Sequence, residues 1–412
     1  MPVYLIIVVY AFNNYISVLF SYLLGMGKLS YVLLDVFFVL LFLHPKAKPR
    51  KQHIPIYFFC LLILCKSIFF WVGSGINIIS FYLEFSFFRR VVLPFGVFMY
   101  LFSKLTKSKD MSKLNRFMYK WFIVVVFLQC IDLLLMNFST PYHDQIINFA
   151  NAVEETFTTP ELMISHIPLF GFQYLRCFGV GLSYHSSALY VLMLYAFNIQ
   201  MKNPIPFWLH IPTYFAVIAS GSIQSIGLYL LMLLLYVNHI YRHKLFFLGV
   251  LMFVGVISLE TFIDMSFPGF GKVYMFEYIF LVSDAILDHL RNVPNQFLWG
   301  MGSLEAIGET LSVGRELLDV GDVGLVRLML EGGAIAMTYY LVLIMWFFLK
   351  YVFPYKGREP LPVKASVTCI ILGLGSFVHY AVIFSRNNVI LYMLFFAIIA
   401  SQYKKGFCPG GN

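Results

Sequence analysis

Charge is what this chain has least of: only 12% of its 412 residues are Asp, Glu, Lys or Arg. That is about half the share of an ordinary soluble domain, so a soluble globular protein is excluded. Cysteine is sparse and scattered. Cys60, Cys65, Cys130 and Cys369 fall in apolar runs, Cys408 in the tail, and only Cys177 near a polar connection. With no C-x-x-C pair, neither a disulfide framework nor a zinc site is expected. The motifs H-E-x-x-H, G-x-S-x-G and the P-loop are missing, as is a D-x-D metal-sugar signature. No basic segment and no A-x-A-like site accompany the first apolar run, which is expected to be a retained helix. No convincing internal repeat of the transporter kind is visible.

What is present is apolar: 60% hydrophobic and 19% aromatic residues. Several runs approach the ~20 residues that cross the hydrocarbon core. In lipid the backbone must satisfy its own hydrogen bonds, so such runs form helices; alternating segments of the barrel kind are absent. The expectation is an all-α polytopic integral membrane protein, one transmembrane domain over 1–412, with about 12 transmembrane helices. They are placed at 3–24, 29–43, 54–73, 79–103, 118–137, 179–198, 206–220, 223–240, 245–263, 326–349, 365–383 and 387–402.

The net charge of +9 follows this topology. Lys46 to Lys51, Lys104 to Lys120, Lys202, Arg242 with Lys244, Lys350 to Lys364 and the Lys404–Lys405 pair occupy alternate connections. By the positive-inside rule these face the cytoplasm, with both termini. The lipid bilayer is therefore the implied partner, and no nucleic acid is.

Two outward segments exceed ordinary loop length. The first, 137–178, is medium-sized and acidic; Arg176 is its one Lys or Arg. The second, 264–325, is large and carries Arg291, Glu305, Glu309, Arg315, Glu316, Asp319 and Asp322 among glycines. Within it Tyr274–Leu290 puts apolar residues at helical spacing with acids interspersed, which predicts an amphipathic helix lying at the interface.

Arg89 and Arg90 fall inside the fourth apolar run, where each charge costs ~2.5–3.5 kcal/mol. If both snorkelled outward from a boundary at Arg90, only ~20 Å of helix would remain up to Ser103, too short for a ~30 Å core. A cavity-facing position is favoured, and two guanidiniums there suit an anionic group such as phosphate. Arg176 opens the sixth run beside glycines and Tyr184, His185, Ser186 and Ser187, as an interface anchor or a site residue. Arg327 and Glu331 are i,i+4 on one helix face, as a structural pair or part of a site with Asp322 just before them. Asp35, Lys66, Glu84, Asp132 and Glu260 also lie in or near apolar runs, with no partner obvious in sequence.

Three local patterns and the topology carry a resemblance. They are Arg176-Cys-Phe-Gly with its small polar helix start, Ser220-Gly-Ser-Ile-Gln-Ser-Ile-Gly, and Trp299-Gly-Met-Gly-Ser followed by Asp322-Val-Gly-Leu-Val-Arg-Leu-Met-Leu-Glu-Gly-Gly. In these the chain resembles the Wzy-type O-antigen and capsular polysaccharide polymerases of the O-antigen ligase and polymerase superfamily. The second pattern lacks the Arg of many relatives, and Asp322 stands where ligases carry His. The resemblance implies a GT-C-like glycosyltransferase architecture in the bacterial inner membrane, with both long segments periplasmic. It implies undecaprenyl-pyrophosphate-linked oligosaccharide as donor and acceptor, no cofactor or metal, and a chain-length regulator as partner. Arg89, Arg90, Arg176 and Arg327 are then the candidate pyrophosphate clamp. Asp322, Glu331 and His185 are the candidate bases. A lipid-linked oligosaccharide flippase and an O-antigen ligase are the rival expectations.

Overall fold

The computed structural model describes residues 3–24, 27–44, 51–76, 80–81, 84–106, 108–154, 164–166, 173–181, 184–218, 227–229, 232, 298–300, 324–376 and 386–406. These are mostly helical. In chain order the helices are α1 (Val3–Ala11), α2 (Asn13–Leu24), α3 (Gly27–Leu43), α4 (Ile54–Gly73), α5 (Ser86–Val91), α6 (Pro94–Leu105) and α7 (Ser108–Phe138). They continue as α8 (Thr140–Glu154), α9 (Tyr184–Gln200), α10 (Phe207–Ile218), α11 (Gly324–Tyr351), α12 (Leu361–Gly375) and α13 (Arg386–Gly406). A short antiparallel hairpin, β1 (Ile164–His166) with β2 (Gln173–Leu175), sits between α8 and α9, with Ser165 opposite Tyr174. Three-residue strands carry too few alternations to stand out in sequence.

Among the described residues three helices are long and apolar enough to cross a membrane: Ile54–Gly73, Met111–Phe138 and Glu331–Tyr355. A fourth arises if α1 and α2, bent by 62° at Phe12, are one span. The expected spans at 223–240 and 245–263, the Tyr274–Leu290 helix and nearly all of 264–325 lie outside the described residues. Large apolar side chains face outward along α4 (Phe58, Leu61, Phe69), α7 (Val124, Phe127, Ile131, Leu134) and α11 (Leu341, Val342, Met345). Apolar stripes of that extent suit lipid rather than water. The interior is built on α13, whose residues Val389 to Ala400 are all buried against α6, α12 and α1. A helix apolar on every face belongs at such a centre.

Cross-helix contacts fix the helix directions. Lys66 meets Glu331 and Pro55 meets Tyr339, so α4 and α11 are antiparallel. Asp35 meets Arg89 and His44 meets Tyr100, so α3 runs with α5 and α6. Trp121 meets Tyr190 and Asn115 meets Asn203, so α7 opposes α9. Phe347 meets Phe396 and Tyr351 meets Tyr403, so α11 and α13 are parallel. Followed along the chain, these directions collect Lys104, Lys113, Lys202, Lys350 and Lys404 at one end of the bundle. This basic end is the grouping expected from the alternate connections.

Three apolar runs that read as single spans are interrupted. Besides the bend at Phe12, the run 79–103 divides into α5 and α6 around Val92 and Leu93, just ahead of Pro94, which has no N–H for the ladder. α11 is kinked at Gly333, with φ 76° and ψ 168°, a region essentially restricted to glycine. Its Cα lies against the backbone of Leu298, Trp299 and Gly300; an added Cβ would fall 2.3 Å from the Leu298 carbonyl oxygen. None of the three clash partners can swing aside, because all are backbone. Gly333→Ala should therefore destabilise the purified protein by more than ~2 kcal/mol, seen as a clear fall in melting midpoint. Gly73→Ala at the end of α4, where a Cβ meets nothing within 4 Å, should leave the midpoint unchanged.

Candidate functional site

Consecutive residues on a helix point about 100° apart, and α5 uses this to aim two arginines at different neighbours. Arg89 Nη1 donates to Asp35 Oδ2 on α3 at 3.1 Å, and Arg90 Nη2 to Glu331 Oε1 on α11 at 2.6 Å. The side chains are mostly enclosed, at 14% and 12% exposure in the first pair and 22% and 3% in the second. Charges this deep persist only when partnered. Lys66 of α4 joins from the third side and donates to the Glu331 backbone carbonyl. That carbonyl lies two residues before the break at Gly333. The Lys66 ammonium also lies over the rings of Phe70 and Phe87, at 5.4 and 5.6 Å. Glu84, buried two residues before α5, lies close enough to act on Lys66.

A second polar group is built on the stretch from Leu175 to Ser187. Asn137 of α7 holds both backbone groups of Leu175, and Gln129 donates to the Cys177 sulfur at 3.0 Å. Asp132 accepts the Gly179 N–H and the Tyr142 hydroxyl, each at 2.6 Å. Burial, with the Asp132 carboxylate next, holds the Tyr142 phenol above its usual range, so at neutral pH it is the donor. From α2, Tyr15 donates to the Gly179 carbonyl and Asn14 to that of Gly181. Ser187 bridges the Phe178 carbonyl and the Gly181 N–H, while Asn388 of α13 holds Ser186. Gly179 has φ +61°, and a Cβ there would lie 1.7 Å from Gln129 Oε1. Half-buried Arg176 is thus carried on a backbone pinned on both sides.

Both groups lie toward the end of the bundle away from its basic residues. Family models, curated proteins and solved structures offer no match to this chain. Function is therefore argued from the geometry.

Of the residues singled out in sequence, Arg89, Arg90 and Glu331 are brought together, and Arg176 belongs to the second group. Arg327 lies one turn before Glu331 in α11 and His185 in the first turn of α9. Their side chains, and all of Asp322 and Glu260, lie outside the described residues. Glu331 reaches Arg90 on α5, while the side chain of its i−4 neighbour Arg327 lies outside the described residues. Asp35, Lys66 and Asp132, which have no partner obvious in sequence, are engaged: Asp35 neutralises Arg89, Lys66 meets the Glu331 carbonyl and Asp132 clamps a loop. Among the described residues no cluster of His, Cys, Asp and Glu is placed to hold a metal ion.

Chemically the first group is a pair of mostly enclosed guanidiniums, each held by a carboxylate from another helix. Removing one member should expose how far the partners depend on each other. Arg90→Met leaves Glu331 buried without its cation and should cost ~3–5 kcal/mol, as should Glu331→Met in reverse. The double variant should cost clearly less than the sum, read from thermal unfolding of the detergent-purified protein. Strict additivity would show that the two side chains are not coupled.

Proposed function

We propose that this protein is a glycosyltransferase of the bacterial inner membrane that joins undecaprenyl-pyrophosphate-linked oligosaccharide units, a polymerase of the Wzy kind. The observation that carries the reading is the Arg90–Glu331 pair, enclosed in an apolar bundle where three helices meet and one of them is broken. A lipid carrier must reach such a site sideways through the bilayer, and the donor's pyrophosphate must be met by fixed cations. The site then faces the periplasm, opposite the basic end. About 12 spans and a GT-C-like arrangement remain part of this proposal.

In the reaction the acceptor hydroxyl oxygen bonds to the donor's anomeric carbon. The bond from that carbon to the phosphate oxygen breaks, and the lipid pyrophosphate departs with the electron pair. The leaving group is a stable anion, so it needs cationic stabilisation more than protonation. The hydroxyl proton passes to a carboxylate. An arriving pyrophosphate competes for Arg90 through bidentate contacts, which frees Glu331 to take that proton. Asp322 and His185 are the other candidate bases, and Arg89, Arg176 and Arg327 the further candidate cations. A chain-length regulator is the proposed protein partner.

The interrupted helices also favour a second reading, a lipid-linked oligosaccharide flippase, since broken helices near the bilayer middle are a transporter device. Loss of the protein separates the two. Under the first reading single repeat units are still exported and attached; under the second they accumulate inside. At residue level, Arg176→Ala should abolish chain lengthening with the protein still in the membrane, scored by the polymer ladder. Polymer of wild-type length from that variant would sink the assignment.

A further inference from the structure

The basic end carries a recess that neither reading above uses. It has a volume of about 500 Å³ and is lined by Tyr4 of α1 and by Ser112, Lys113, Arg116, Phe117 and Lys120 of α7. The three cations lie at i, i+3 and i+7, which places them on one face of the helix. All three are exposed, and among the described residues none is in an ion pair. Tyr4 and Phe117 close the side toward the bundle, their ring centroids 5.0 Å apart.

What lies along the same face decides the occupant. Stepping on from Lys120 at helical spacing reaches Val124, Phe127, Ile131 and Leu134, exposed by 45%, 43%, 49% and 56%. From Val124 to Leu134 this apolar stripe runs ~15 Å at ~1.5 Å per residue, a large part of one leaflet. A free phosphate would use the cations and leave the stripe unexplained. A neutral lipid would use the stripe and leave the cations unexplained. We infer that the Lys113–Arg116–Lys120 recess binds the head group of an anionic phospholipid whose acyl chains lie along the Val124–Leu134 stripe. Three cations on one face, none in an ion pair among the described residues, suit a head group bearing two phosphates better than one.

Each cation near an anionic lipid surface contributes about 1 kcal/mol, so the triple substitution K113Q/R116Q/K120Q should weaken binding about a hundredfold. The full chain, purified in a neutral detergent, is titrated with cardiolipin, phosphatidylglycerol, phosphatidylcholine or inorganic phosphate, and bound lipid is read by native mass spectrometry. A control triple, R358Q/K364Q/K404Q, removes the same charge from the same end. Cardiolipin should bind tightest and phosphatidylcholine weakly, and only the first triple should lose the anionic lipids. The charge-conserving variant K113R/K120R should keep them. Equal binding of phosphatidylcholine and phosphatidylglycerol would overturn the inference, as would equal loss in both triples. Displacement of bound lipid by millimolar inorganic phosphate alone would identify a free anion as the occupant and equally overturn it. The melting midpoint of each variant without lipid shows that it is folded.

Discussion

A charge enclosed in an apolar bundle must have a partner, and the interior of this protein is organised around that requirement. Arg89, Arg90, Asp35, Glu331 and Lys66 come from α3, α4, α5 and α11, and each is met by one of the others. The cost of an isolated charge in the hydrocarbon, ~2.5–3.5 kcal/mol even on insertion scales, makes these contacts conditions for assembly rather than additions to it. The breaks in the neighbouring helices lie beside these contacts. The Gly333 break is two residues past the carbonyl that Lys66 meets, and the break ahead of Pro94 ends α5 directly after its two arginines.

The second polar group solves a different problem. A loop entering the bundle brings backbone N–H and C=O groups that helices would otherwise satisfy. Here Asp132, Asn137, Asn14, Tyr15 and Ser187 take them up, and the loop is held from several sides. Arg176 is carried on that frame. Both groups therefore present cations from rigid supports at the same end of the molecule, which is what stabilising a departing pyrophosphate asks of a protein.

Continuous apolar character was legible in the sequence. The run placed at 54–73 is α4, residue for residue, and 118–137 falls inside α7. The reason is that hydropathy records what surrounds a helix. It is blind to backbone continuity, so the division at Val92 and Leu93 and the kink at Gly333 did not register, although Pro94 and the Gly332–Gly333 pair were the signals that could have found them. The arginines inside the fourth run were legible because a charge in lipid is anomalous wherever it stands. Their partners were not, since Asp35 lies 54 residues from Arg89 and Glu331 lies 241 from Arg90. No local spacing rule reaches that far; such a rule offers Glu331 only the nearer Arg327.

The central claim, that this enclosed charge group serves glycosyl transfer, is tested most directly by the protein in liposomes supplied with one lipid-pyrophosphate-linked repeat unit. The account predicts a ladder of lengthened saccharide and one free lipid pyrophosphate released for each bond formed, with no nucleotide added. Movement of the intact unit from one leaflet to the other, with neither ladder nor released lipid pyrophosphate, would contradict it.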